Sequence, residues 1–94
     1  MQSFLLERAV PADLRFEDPA ELARHCRWAA DGYRQAGAFW LGGVITDAGM
    51  FSLVVAEGEA ALRDYWRGLG VADEDARLRR VLGSLGPFHA ASSQ

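Results

Sequence analysis

The hydrophobic period changes several times along the chain, and each change marks an element. SFLLERAV, Ser3 to Val10, is a short run in which Phe4 and Leu6 point one way and Leu5 and Glu7 the other. Apolar residues on both faces predict a strand covered on both sides, ended by Pro11. After the loop ADLRFE, Asp18, Pro19 and Glu21 have the spacing of a capped helix start. The helix runs to about Ala36, where Gly37 supplies a left-handed stop, and Leu22, Cys26, Ala29 and Tyr33 form its apolar stripe. AFWLGGVIT (Ala38 to Thr46) and MFSLVVAE (Met50 to Glu57) are apolar on both faces and flank the turn Asp47–Ala48–Gly49, the pattern of an antiparallel hairpin. Gly58 and Glu59 open a second helix to about Arg67, striped by Leu62, Tyr65, Trp66 and Leu69 and ended by Gly68 and Gly70. VADEDA is a polar loop, and Arg77 to Leu85 reads as a last strand broken by Gly86 and Pro87. Residues 90–94 form a small polar tail.

The order is β-α-β-β-α-β. It predicts an α+β, ferredoxin-like domain with a four-stranded antiparallel sheet and two helices on one face. The other face sets a problem. A solvated face would be polar, yet the middle strands carry Phe39, Trp40, Leu41, Val44, Ile45, Phe51, Leu53, Val54 and Val55. These residues fill both faces, and no chain is left for a second sheet. A second copy packed sheet to sheet with two-fold symmetry supplies the missing layer. The expected assembly is a homodimer, a shared α/β barrel.

Four segments carry a family likeness: FLLERAVPADL (Phe4 to Leu14), FWLGGVITDAG (Phe39 to Gly49), EAALRDYWRGLGVADE (Glu59 to Glu74) and RRVLGSLGPFH (Arg79 to His89). With them the chain resembles the dimeric α/β-barrel superfamily and, within it, the small DUF4242 proteins, some of which are described as nickel-binding. It is similar in length and layout to the muconolactone isomerases, in which a lactone binds between sheet and helices and is isomerised without a cofactor. Small polyketide cyclases and cofactor-free monooxygenases share the architecture. The resemblance implies a cofactor-independent isomerase, cyclase or oxygenase acting on a hydrophobic or aromatic small metabolite, with no cofactor. Its alternatives are a nickel- or other transition-metal-binding protein and a non-catalytic small-molecule-binding dimer.

Composition narrows the classes. Ninety-four residues make a single domain, and half of them are hydrophobic. The net charge is -3 and every basic side chain is Arg, which gives no electrostatic footprint for nucleic acid. The basic cluster Arg77, Arg79, Arg80 follows Asp73, Glu74 and Asp75, a solvated mixed-charge segment. No run approaches the roughly 20 apolar residues of a membrane span, and Phe4 to Leu6 is too short for a signal-peptide core. The expected location is the cytoplasm, with no membrane partner. A single cysteine excludes a disulfide within the chain, and without a CxxC pair there is no structural zinc signature.

The candidate chemistry gathers around RHCRWAADGY, Arg24 to Tyr33. Cys26, mid-stripe, reads as a small buried hydrophobe. His25 lies at the stripe's edge, either a surface histidine or the rim of a cavity, where imidazole suits proton transfer. Glu7 shares a face with Leu5; it is either a general base with a raised pKa or a strand-end residue paired with an arginine. His89 follows the last strand and is free to fold back. His25, Glu7 and His89 are the catalytic candidates, and two imidazoles with a carboxylate would also suit nickel or iron. Tyr33, Trp40, Tyr65, Trp66 and Phe88 are the candidate walls of a pocket for a planar apolar molecule. Trp28 faces away from the stripe and marks a surface for a partner. Gly42 and Gly43 mark a bulge or a close approach to the sheet.

Overall fold

A computed structural model describes residues 1–83 and 85; His89 and Phe88 lie outside the described residues. The elements are β1 (Gln2–Arg8), α1 (Pro19–Gln35), β2 (Phe39–Thr46), β3 (Gly49–Ala56), α2 (Glu59–Gly68), a 3-10 turn (Asp73–Asp75) and β4 (Ala76–Arg80). The sheet is antiparallel throughout, in the order β2-β3-β1-β4. This is the ferredoxin-like α+β arrangement.

Local chemistry explains the boundaries. The Asp18 carboxylate accepts from the Ala20 and Glu21 amides and caps α1. Glu21 does not return the favour of a capping box; its carboxylate takes the Arg15 guanidinium at 3.1 Å instead. Both helices end the same way. Gly37 (φ 80°) and Gly70 (φ 83°) take the left-handed conformation. The next amides, of Ala38 and Val71, then donate back to the carbonyls of Tyr33 and Trp66. The hairpin turn is shorter than the three residues expected: Thr46 pairs with Gly49, leaving Asp47 and Ala48, and the Thr46 hydroxyl accepts from the Ala48 amide.

The last strand is also shorter than Arg77 to Leu85. Phe4 pairs with Arg80, and the Val81 amide donates to Ser3 at 2.8 Å. The ladder is not continued past Val81, although Gln2 of β1 stands opposite the next position. Leu82 accordingly stands 87% exposed, despite its place in the apolar pattern.

The core lies on one side of the sheet. Phe4, Leu6, Val54 and Ala56 alternate along β1 and β3 and meet Ala29 and Tyr33 of α1 and Leu62 and Trp66 of α2. Leu62 and Val54 are fully buried. Leu62→Ala is expected to cost about 2–5 kcal/mol, from lost transfer energy and the cavity left behind. Urea unfolding followed by far-UV circular dichroism measures it, and a loss below about 1 kcal/mol would contradict this packing.

Candidate functional site

Strand alternation decides what faces the helices. Along β1 the series Phe4, Leu6, Arg8 points to the helix side, and register places Val54, Ser52 and Met50 of β3 beside it. On β2 the register shifts between Trp40 and Gly42, with Gly42 at φ 121°. This bulge keeps Trp40, Gly43 and Ile45 on the helix side. A side chain at Gly43 would collide with the Phe51 carbonyl, so the sheet is bare there, between Trp40 and Ile45.

The helices meet over the other end of the sheet. The Trp66 indole N–H donates to the Tyr33 hydroxyl at 3.1 Å, buried. The Tyr33 and Tyr65 rings lie 4.7 Å apart, tilted by 54°. Gly32 permits this crossing, since a Cβ there would strike the Tyr65 hydroxyl. Between this clamp and the bare stretch of sheet lies a cavity of about 340 Å³. Tyr33, Tyr65 and Trp66 line it, with Trp40 and Ile45 from β2, Leu22, Cys26 and Ala29 from α1, and Leu6, Met50 and Ser52 from the sheet centre. Phe16, Trp28 and Leu69 line it too and are themselves exposed, which marks the mouth.

Three polar groups in this wall have distinctive electrostatics. His25 is half-buried against Trp28, with ring centroids 5.5 Å apart. Burial holds its pKa below the ordinary 6.5, the Arg8 charge pushes the same way, and Asp13 opposes both. The imidazole is therefore neutral at pH 7. Tyr33 is pushed up, chiefly by burial and also by Tyr65, against the Trp66 hydrogen bond and the Arg8 charge, so its hydroxyl keeps its proton. Burial raises Tyr65 as well. Arg8 is half-buried, and no described carboxylate comes within ion-pair distance of it.

The sequence candidates thus separate. His25, Tyr33, Trp40, Tyr65 and Trp66 all line one cavity. Glu7 does not join them. It follows Leu5 onto the opposite face of the sheet, where Phe51 and Arg77 are its neighbours. Cys26 is half-buried and borders the cavity instead of being sealed in the core. Trp28, read as facing away from the stripe, leans over the cavity mouth. Among the described residues no three His, Cys, Asp or Glu side chains gather to hold a metal ion, and no helix is long and apolar enough to cross a membrane. Arg8 and Ser52 were missed as site residues. The alternation Phe4–Leu6–Arg8 already assigns Arg8 to the side of the buried residues.

Comparison of the chain with protein-family models, curated proteins and solved structures returns no match. Geometry alone therefore carries the functional reading.

The His25 environment makes a direct prediction. Well above pH 6.5 the ring is neutral folded and unfolded; around and below 6.5, down to its lowered folded value, the unfolded chain binds more protons, so stability falls as pH drops through that window. In proton NMR the His25 Cε1–H titrates with a midpoint below 6.5, and His25→Gln flattens the stability–pH curve over the same interval. A midpoint at or above the ordinary value would show that burial and Arg8 do not govern this group.

Proposed function

We propose that the chain is a small cofactor-independent enzyme of isomerase or cyclase type, acting on a hydrophobic or aromatic small molecule held between sheet and helices. The observation that carries this reading is the half-buried His25 imidazole in the wall of an apolar cavity of about 340 Å³, where burial and the Arg8 charge lower its pKa. That volume falls in the range of small-molecule sites. A neutral imidazole takes a proton from a carbon acid, and the imidazolium returns it at another carbon of the same ligand, which is an isomerisation without a cofactor. Tyr33, protonated and oriented by Trp66, is suited to donate a hydrogen bond to the carbonyl oxygen on which charge develops. The reading agrees with the resemblance to muconolactone isomerases and polyketide cyclases and uses this chain's own residues.

A substrate-blind test uses 5-nitrobenzisoxazole, a planar apolar molecule whose ring opens when one carbon-bound proton is removed. The protein is expected to accelerate the opening, with a rate that rises through a midpoint below pH 6.5. His25→Gln should lower the rate by about 100-fold and leave binding of the probe unchanged. Turnover that survives this substitution would remove His25 from the role of base.

The second part of the proposal is assembly. The sheet face away from the helices carries Phe39 (53% exposed), Leu41 (60%), Val44 (60%) and Leu53 (37%). Register sets Leu5, Phe51 and Val55 among them. A contiguous apolar face of this kind favours burial over hydration. Toward β4 the same face turns charged, with Glu7 paired across to Arg77 and Leu5 to Arg79. It holds both signs of charge, so a second copy rotated by a two-fold axis meets apolar with apolar and acid with base. The chain is expected at about twice its 10.3 kDa in light scattering at micromolar concentration. Val44→Asp, at an exposed position, should give a folded monomer. A wild-type monomer would contradict the dimer.

A further inference from the structure

Arg8 is the one formally charged side chain among the described residues lining the cavity; none of those residues is Asp or Glu. It reaches there because β1 continues its helix-side alternation two residues past Leu6, into the row of Met50 and Ile45 beside the bare position at Gly43. Five described ion pairs use Arg15, Arg34, Arg63 and Arg67, and none uses Arg8. Outside the mouth a second recess of about 510 Å³ shares Arg8, His25, Trp28 and Leu69 and adds Asp13, Glu21 and Arg24. Glu21 is taken by Arg15, while Asp13 lies in the loop after β1 with no ion pair among the described residues. The inner cavity therefore offers an aromatic and aliphatic slot with one unpaired, partly desolvated guanidinium at its edge.

Resting on the reading of this cavity as a ligand site, we propose that its ligand is an aromatic or similarly planar carboxylate. The Arg8 guanidinium takes the carboxylate, and Trp40, Tyr65 and Trp66 take the ring system. The planar fork of arginine matches a carboxylate in two parallel hydrogen bonds, and such bonds are strongest where water is scarce. Binding has a second consequence. Arg8 is one of the two causes that hold His25 acidic. A carboxylate seated on Arg8 cancels that field and raises the basicity of His25, so the base is strongest when the site is occupied.

The test compares 2-naphthoate with its neutral isostere 2-naphthamide, by calorimetry and tryptophan fluorescence, on the full chain. Wild type is expected to prefer naphthoate by about tenfold or more. Arg8→Met, which keeps the apolar stem, should bring the two within roughly twofold while naphthamide binding holds. Arg8→Lys should keep part of the preference. Naphthoate, and not naphthamide, should move the His25 NMR midpoint upward. Equal binding of the two in wild type, or a preference that survives Arg8→Met, overturns the role of Arg8 and leaves the cavity reading standing. Binding of neither compound overturns both.

Discussion

The hydrogen bond from the Trp66 indole to the Tyr33 hydroxyl is the joint on which the site depends. It is the described polar contact that ties α1 to α2, and it is buried. Losing the acceptor would strand an indole N–H in the core, at a cost of about 1–3 kcal/mol. It also orients both aromatic groups. The Tyr33 ring lies against Tyr65, and Tyr65 reaches α1 because Gly32 has no side chain to stop it. Three aromatic residues from two helices therefore share one small volume over the buried half of the sheet.

That clamp sets the shape of everything beyond it. Helices held together over Phe4, Leu6, Val54 and Ala56 leave the far end of the sheet, near Arg8, Ile45 and Met50, less covered. An ordinary core would fill such a gap with large side chains, since an interior void forfeits dispersion contacts. Here β2 presents Gly43 at the centre of the gap, and the strand cannot restore a side chain there without striking the Phe51 carbonyl. The cavity is thus written into the sheet as well as into the helix spacing.

Much of this was legible in the sequence, for definite reasons. Asp18, Gly37 and the hairpin turn act locally, so helix starts, stops and hairpin are read from a few residues. The stripe containing Ala29 and Tyr33 has a clean helical period and finds the core. The paired Gly42 and Gly43 point to irregularity in β2, and the register shift falls there. Pairing length is different, because it depends on residues far away. Leu82 belongs to an apolar pattern, yet β4 ends at Arg80 and leaves it exposed. Glu7 and His25 failed to meet for a related reason. Alternation places Glu7 with Leu5, but only the finished sheet tells which face the helices cover. The same alternation that removes Glu7 admits Arg8.

The exchange of Glu7 for Arg8 changes the chemistry of the cavity more than its shape. A carboxylate beside His25 would favour the imidazolium and make the histidine an acid. A guanidinium does the reverse, and burial acts in the same direction. Apolar walls prolong the effect, since a charge is poorly screened where side chains replace water. Arg8 therefore also acts on Tyr33, where its charge partly offsets the upward push of burial. A single cation in an uncharged wall thus biases both the imidazole and the phenol toward the deprotonated side, with burial acting alongside it at His25 and against it at Tyr33. Asp13, beyond the mouth, is the one described carboxylate that tempers this at His25. Asp13 borders the outer recess and not the inner cavity, whereas Arg8 borders both, so the two opposing charges reach His25 from different sides.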